Sequence, residues 1–262
     1  MNKSRPSWYL PLLSMSLMTG PMALSQPVPV DPSGAAAGST AEPARPASHF
    51  EAAYNMASLS VGGATLGPEL QKVMREQLLE GFEQDPDFQA MELEFPGVTL
   101  AVVNAVLPVA VRQTDQNTPA LIERLAKLYA AEMTADEIAV ATEWFSSPAF
   151  SRISATMESN MDLSQIIRNS IADAESRVSS EDLDTIQNDS AAQSVSTMEL
   201  ADRAVLMRFS GTPAYAKLEA LKSKSREIET IWTNENNPDH DAEMENIAIK
   251  ALEEFTGLDL SE

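Results

Sequence analysis

Residues 134–153 decide the fold class, and they read TADEIAVATEWFSSPAFSRI. Thr134, with Glu137 three positions later, has the spacing of a capping box at a helix start. Apolar residues then recur at intervals of three and four, at Ile138, Ala141, Trp144 and Phe145. Ser147 before Pro148 is typical of a second helix start. The stretch therefore predicts two helices joined by a short turn.

The helical pattern extends over the chain from about residue 49, and no series of alternating strands interrupts it. Upstream, the same spacing occurs at Leu121, Leu125, Leu128 and Tyr129. Further helix starts are predicted at Ser196 with Glu199, at Thr118-Pro119 and at Thr212-Pro213. We expect an all-α helical bundle built from helix-turn-helix hairpins. Its helices should cover 49–60, 68–84, 98–113, 119–132, 135–146, 148–178, 181–209, 213–233 and 239–255.

A weak internal repeat relates two of the predicted hairpins. Residues 144–153 read WFSSPAFSRI and residues 208–218 read RFSGTPAYAKL, with one extra residue in the second turn. In both copies a capped proline starts a helix that carries an aromatic and a basic residue. We expect a hairpin used twice, with the second copy within about 196–233. The alternative that the two capped hairpins are similar by chance stays open, because Ser/Thr-Pro helix starts are common.

The most apolar stretch runs from Phe95 to Val111, and no charge lies between Glu94 and Arg112. Because its aliphatic residues are spread around every side, the pattern predicts a buried core helix, kinked at Pro108. The valines alone would suit a strand, but the length and the proline favour the helix. A lipid-binding or peptide-binding surface is the functional alternative.

Residues 1–25 have the layout of a secretory signal peptide, with a basic start, a short apolar run and a small-x-small cleavage site before Gln26. A membrane anchor is the rival, but the apolar run is shorter than the roughly 20 residues that span a bilayer. Residues 26–48 are rich in proline and alanine, which predicts a disordered leader. Residues 49–262 form the predicted helical domain. We expect a soluble, exported bacterial protein that is periplasmic or secreted.

Composition excludes several classes of function. The chain carries 18 Lys+Arg against 39 Asp+Glu, a net charge of −21, so we expect neither nucleic acid nor an anionic membrane surface as a partner. It has no cysteine, which excludes disulfides, thiolate catalysis and cysteine-based zinc sites. Once the signal peptide is cleaved, we expect no membrane insertion.

The search for catalytic and metal-binding motifs is negative. The two histidines, His49 and His240, offer at most one base for a catalytic triad. The acidic run around His240 (Asp239, Asp241, Glu243 and Glu245) could bind calcium. However, position six of an EF-type loop would be Met244, so a helix N-terminus is the preferred interpretation. We nominate no catalytic, cofactor-binding or metal-binding residue.

Two further sets of residues have a structural and a functional interpretation. The acid pairs Glu253-Glu254 and Asp182-Asp184 could do acid–base work, but no neighbouring residue in the sequence would raise either pKa, so we expect solvated helix faces. Trp144 and Trp232 sit among apolar residues at helical spacing. We expect core packing for both rings, with ligand stacking as the alternative.

The first hairpin resembles the signature of the domain of unknown function 2059 family. The resemblance lies in Leu128-Tyr129, in the Met133–Ile138 helix start and in the Trp144–Pro148 turn, and covers about residues 90–160. Arg152 stands where the family has lysine, whereas Phe150 departs from its glycine. The resemblance implies a small, all-helical, exported bacterial domain, and the family brings no established activity or catalytic residue.

These observations favour a non-catalytic binding or protein-interaction module. Its partner would be an unknown protein or peptide of the cell envelope, bound in a groove between the Phe95–Val111 helix and the two hairpins. An unrecognised carboxylate-dependent hydrolase is the alternative, although no residue pair can be nominated for it.

Overall fold

The computed structural model describes residues 48–62, 66–172, 176–235 and 238–259. Start and stop signals along the chain divide these residues into eleven helices. Within these residues there is no strand. The helices are α1 (His49–Ser60), α2 (Pro68–Gln84), α3 (Pro86–Glu94), α4 (Val98–Glu132), α5 (Ala135–Phe145), α6 (Pro148–Ser159), α7 (Ser164–Ala172), α8 (Ser180–Thr197), α9 (Leu200–Ser210), α10 (Pro213–Thr233) and α11 (Pro238–Thr256). The predicted all-α class is confirmed. The predicted signal peptide and nearly all of the leader lie outside the described residues.

Three of the predicted helix starts are confirmed by their cap geometry. Thr134 and Glu137 form the reciprocal capping box of α5. The Ser147 hydroxyl accepts the backbone N–H of Phe150 at the start of α6, and Thr212 does the same for α10. Each cap satisfies a backbone donor that the helix itself leaves unpaired.

The predicted break between residues 113 and 119 is wrong, because α4 is continuous through Pro108 and Pro119. The Thr118 hydroxyl donates to the carbonyl oxygen of Thr114, 2.8 Å away, and does not cap a new helix. Gln113, Thr114 and Thr118 are all buried, so the segment between the two prolines is held by packing. Tertiary contacts outweigh the local helix-breaking tendency of proline here.

A contact distant in sequence breaks the predicted helix 148–178 into α6 and α7. The side-chain amide of Gln77, on α2, donates to the carbonyl oxygen of Met161 at 2.8 Å and accepts the N–H of Leu163 at 2.6 Å. These bonds replace helical ones for the Met161 carbonyl and the Leu163 N–H where the chain turns at residues 160–163.

Helix 181–209 is also divided, into α8 and α9, and the predicted capping box of Ser196 with Glu199 is wrong. The Ser196 hydroxyl donates to the carbonyl oxygen of Gln193, inside α8. Glu199 is itself the N-cap of α9 and makes no side-chain cap bond.

Helix α3 was not predicted from the sequence. Its start carries the signal of a cap before proline, since the Asp85 side chain accepts the N–H groups of Asp87 and Phe88 ahead of Pro86.

Two hydrophobic cores share α4. The hairpin core consists of α1, α5, α6, α9, α10 and the C-terminal half of α4. The α11 core consists of α2, α3, α11 and the N-terminal half of α4, with residues from α7 and the turn before it. The predicted core helix of Phe95–Val111 is confirmed as a helix, with Val98, Val102, Val103 and Val106 buried, but its Leu100 is 43% exposed.

The two predicted hairpins, α5–α6 and α9–α10, both form and pack on each other reciprocally, α6 against α9 and α10 against α5. Equivalent rings make equivalent edge contacts: Phe145 with Phe150 at 5.0 Å, and Phe209 with Tyr215 at 5.7 Å between centroids. Trp144 stacks on Phe209 at 4.9 Å, which joins the two hairpins through their aromatic residues.

Gly81 allows α7 to lie close to α2. A Cβ at this position would be 2.7 Å from Cγ2 of Ile167 and 3.0 Å from Cδ1 of Ile171. We expect Gly81→Ala to lower the free energy of unfolding by about 1–3 kcal/mol, since overpacking outweighs alanine's better helix propensity. Urea unfolding followed by circular dichroism measures this, and an unchanged or higher stability would show that α7 shifts freely.

Candidate functional site

The junction between α3 and α4 is a tight turn closed by a carboxylate. Glu92 accepts the backbone N–H of Gly97 at 2.5 Å and that of Thr99 at 3.1 Å, and these bonds hold the pKa of Glu92 below its usual range. Gly97 has a φ of +96°, which favours glycine. The ring of Phe255, from the end of α11, lies against this glycine, because a Cβ there would be 3.3 Å from Cζ of Phe255.

Large apolar side chains are exposed around this contact. Leu93 is 87% exposed, Leu100 43%, Phe255 45% and Leu258 49%. Leu93 precedes Gly97 by four residues, Leu100 follows it by three, and Leu258 follows Phe255 by three. We call these four residues the apolar end. Single exposed apolar residues are ordinary on protein surfaces, whereas several that lie close together are typical of a binding surface.

Carboxylates are the sequence neighbours of the apolar end, and one basic residue from another helix lies near it: Arg75 of α2 donates to Asn104, one turn after Leu100, at 2.9 Å. Residues 91–100 contain Glu92 and Glu94 and no basic residue, and residues 250–259 contain Glu253, Glu254 and Asp259 with one lysine, Lys250. Glu94 and Glu254 are exposed. The surface therefore combines exposed apolar area with negative charge, and sequence reasoning missed it because α3 was not predicted and Leu100 was assigned to the core.

The expected groove between the Phe95–Val111 helix and the hairpins is not what the structure shows among the described residues. The part of α4 up to Val111 is covered by α2, α3 and α11, while the hairpins pack on the other half of α4. A small apolar cavity lies inside the α11 core, between Phe82, Phe88 and α11, and encloses about 10 Å³. That is room for about one water, not for a ligand.

A buried ionic cluster lies between α8 and α10. The side chain of Arg226 is 8% exposed and that of Glu229 is 5% exposed, and the two are hydrogen-bonded. Arg226 also donates to Asp184, at 2.9 Å, and to Gln187, both on α8. Burial raises the pKa of Glu229 to about 8, although the neighbouring Arg226 opposes the shift. Burial likewise raises the pKa of Tyr129, which bonds to Ser225 and Ser60.

A carboxyl group with a raised pKa suits general acid catalysis, so this cluster is where the hydrolase alternative would have to act. However, Glu229 is buried and its Arg226 neighbour is bonded to α8, so a substrate does not reach it. Of the acid pairs considered from the sequence, Asp184 binds Arg226, and Asp182 forms the capping box of α8 with Ser179. Glu254 lies 3.7 Å from Lys250 in an exposed pair.

The acidic run around His240 is the start of α11, as predicted. Glu243 pairs with Arg112 at 2.6 Å, and this bond and one from Gln113 hold the pKa of Glu243 below its usual range. Burial raises the pKa of Asp241. Among the described residues, which leave out the Asp239 side chain, no three His, Asp or Glu side chains are grouped to hold a metal ion.

His49, His240, Trp144 and Trp232 occupy structural positions. A ring nitrogen of His49 is 3.1 Å from the carbonyl oxygen of Ala130, and Nδ1 of His240 is 3.3 Å from the Asn117 amide. Trp144 and Trp232 are buried in the hairpin core, and Trp232 donates its Nε1–H to the Asn117 carbonyl oxygen at 3.2 Å. The core interpretation of both rings is confirmed.

No single helix in the described ranges is long and apolar enough to cross a bilayer; α3 and α4 qualify only when taken together, and they are bent by 119° to each other. No family model, no curated protein and no solved structure matches this chain.

Proposed function

We propose that the chain is a non-catalytic binding module of the bacterial cell envelope that takes a protein or peptide partner at the apolar end. The observation that carries this proposal is the grouping of Leu93, Leu100, Phe255 and Leu258 as exposed residues around one helix junction. A rigid junction presents them, because Glu92 fixes the turn and α11 packs along α4. Binding surfaces gain most from apolar side chains that do not need to be ordered on association.

The proposal also draws on the resemblance of residues 128–152 to the domain of unknown function 2059 family. It supports an exported, all-helical bacterial protein and adds no activity. A carboxylate-dependent hydrolase is the weaker alternative, because the strongest acid candidate, Glu229, is buried.

The location in the cell envelope gives a prediction about the N-terminus. If residues 1–25 are a signal peptide, export removes them, and intact-mass spectrometry of the periplasmic fraction should find an N-terminus at or within a few residues of Gln26. An intact Met1 in the membrane fraction would contradict the export proposal.

An array of immobilised peptides that tile several unrelated proteins tests the binding function directly. The parent chain should bind a subset of the peptides, and the triple variant Leu93→Ser/Phe255→Ser/Leu258→Ser should lose most of this binding. Leu200→Ser is the matched control, since Leu200 is 82% exposed but lies on α9. Equal binding by the parent and the triple variant would remove the apolar end from the proposal.

A further inference from the structure

We propose that the partner segment bound at the apolar end is cationic as well as partly apolar. This inference rests on the proposed function and specifies the chemistry of the partner. It is carried by the charges that surround the exposed side chains. Segments 91–100 and 250–259 hold five carboxylates against one lysine, and the chain as a whole has a net charge of −21.

Two of these carboxylates are exposed and can meet a ligand. Glu94 is exposed on the last turn of α3, next to Leu93. Glu254 is exposed next to Phe255, and its contact with Lys250 is long, at 3.7 Å, with both side chains about 70% exposed. A contact of this kind contributes little, so an incoming ammonium or guanidinium group can replace it. Glu92, by contrast, is committed to the amides of Gly97 and Thr99.

One exposed acid adjoins an exposed apolar residue in the sequence on each of the two segments that meet at the Gly97–Phe255 contact, namely Glu94 after Leu93 and Glu254 before Phe255. A segment that lays apolar side chains on Leu93 and Phe255 would therefore bring its flanking residues close to Glu94 and Glu254. Basic flanking residues would be attracted at both places, whereas acidic ones would be repelled. The negative field of the whole chain would also speed the approach of a cationic segment.

A second copy of this chain fits the surface less well. Each copy carries the same net charge of −21, so the approach of two copies is opposed by repulsion. Nucleic acid and anionic lipid are disfavoured for the same reason. Charge complementarity thus favours a cationic polypeptide among the available partners.

Three labelled peptides test the inference by fluorescence anisotropy with the full exported chain. The first is an amphipathic helix with leucine on one face and lysine on the other. The second replaces every lysine with glutamate, and the third replaces every leucine with serine. We expect the first peptide to bind about tenfold or more tightly than either of the others, and its affinity to fall as salt rises toward 1 M, where the screening length is about 3 Å.

Protein variants separate the local charges from the total charge. Glu94→Lys/Glu254→Lys should weaken binding of the lysine peptide by about tenfold. Glu143→Lys/Asp189→Lys is the matched control, because it makes the same change in net charge at exposed positions on α5 and α8. The control should keep most of the parent's affinity. Circular dichroism and sedimentation velocity of each variant confirm folding and oligomeric state.

The outcomes distinguish this inference from the proposed function. Equal binding of the lysine and glutamate peptides, lost in the Leu93→Ser/Phe255→Ser/Leu258→Ser variant, would overturn the cationic partner and leave the binding module standing. An equal loss in the control pair would show that total charge, not the apolar end, selects the peptide. Self-association of the parent that the serine variant abolishes would assign the surface to a second copy. Binding of none of the peptides would overturn the cationic partner, and the peptide array would then decide the binding function alone.

Discussion

Replacement of Trp144 by alanine is expected to lower the free energy of unfolding by about 3–5 kcal/mol. The ring is 8% exposed, stacks on Phe209 with a centroid distance of 4.9 Å, and meets the edge of Phe150 at 5.7 Å. The alanine variant would lose these contacts and leave a cavity where the two hairpins meet. Caps fix the starts of α5, α6 and α10, which limits how far these helices can move into the space.

Chemical denaturation followed by circular dichroism measures the change without depending on tryptophan emission. Tyr54→Ala is the matched control, because Tyr54 is a 37% exposed aromatic residue on α1, and its loss should cost less than about 1 kcal/mol. A loss below about 1 kcal/mol in Trp144→Ala would show that the hairpins are not joined through this ring.

The stability of the parent chain should fall between about pH 5 and pH 8 through Glu229. Its pKa is about 8 when folded, against an ordinary value of 4.5, so the folded state holds a proton that the unfolded state has released. The contribution of Glu229 is fully present below about pH 4.5 and is lost as the pH rises through about 8. The groups that face it are Arg226 and Lys222 on α10, Asp184 on α8 and Tyr129 on α4.

Glu229→Gln removes this proton linkage and keeps an uncharged side chain of the same shape. Between pH 6 and pH 8 the parent should lose about 2 kcal/mol of stability relative to the glutamine variant, since one pKa unit corresponds to about 1.4 kcal/mol. Glu227→Gln is the control, because it removes a carboxylate from the exposed side of the same helix and should follow the parent. Parallel pH profiles of the parent and Glu229→Gln would show that Glu229 is ionised when folded.

Local signals made the hairpins predictable from the sequence. A cap such as Thr134 or Ser147 acts within one helical turn, so its residues stand next to each other in the sequence. The bounds of α1, α2 and α10 follow from such signals and from the helical spacing of apolar residues. The all-α class rests on the same information.

The features that could not be predicted depend on contacts between residues that are distant in sequence. The turn between α6 and α7 depends on Gln77, more than eighty residues away. Its own residues carry a turn signal that our prediction did not use, since Asp162 accepts the N–H of Ser164 at 3.0 Å. The continuity of α4 at Pro119 depends on the buried contacts of Gln113, Thr114 and Thr118 just before it. The apolar end could not be foreseen either, because only the meeting of α11 with the α3–α4 junction brings Phe255 to Gly97. Burial of Glu229 has no sequence signal, since an isolated glutamate in a helix is usually exposed.

Because α4 is continuous and contributes to both hydrophobic cores, neither core can form without the helix that the other one needs. The helix has 35 residues, which corresponds to a length of about 50 Å. Its middle, TDQNTP at residues 114–119, looks like a linker, and a truncation placed there would cut the helix beside the buried side chains of Thr114 and Thr118. Each fragment would keep half of a helix and expose the apolar face that the other elements no longer cover completely. The smallest unit able to fold by itself should therefore be the entire helical region, melting in one transition as a single cooperative body.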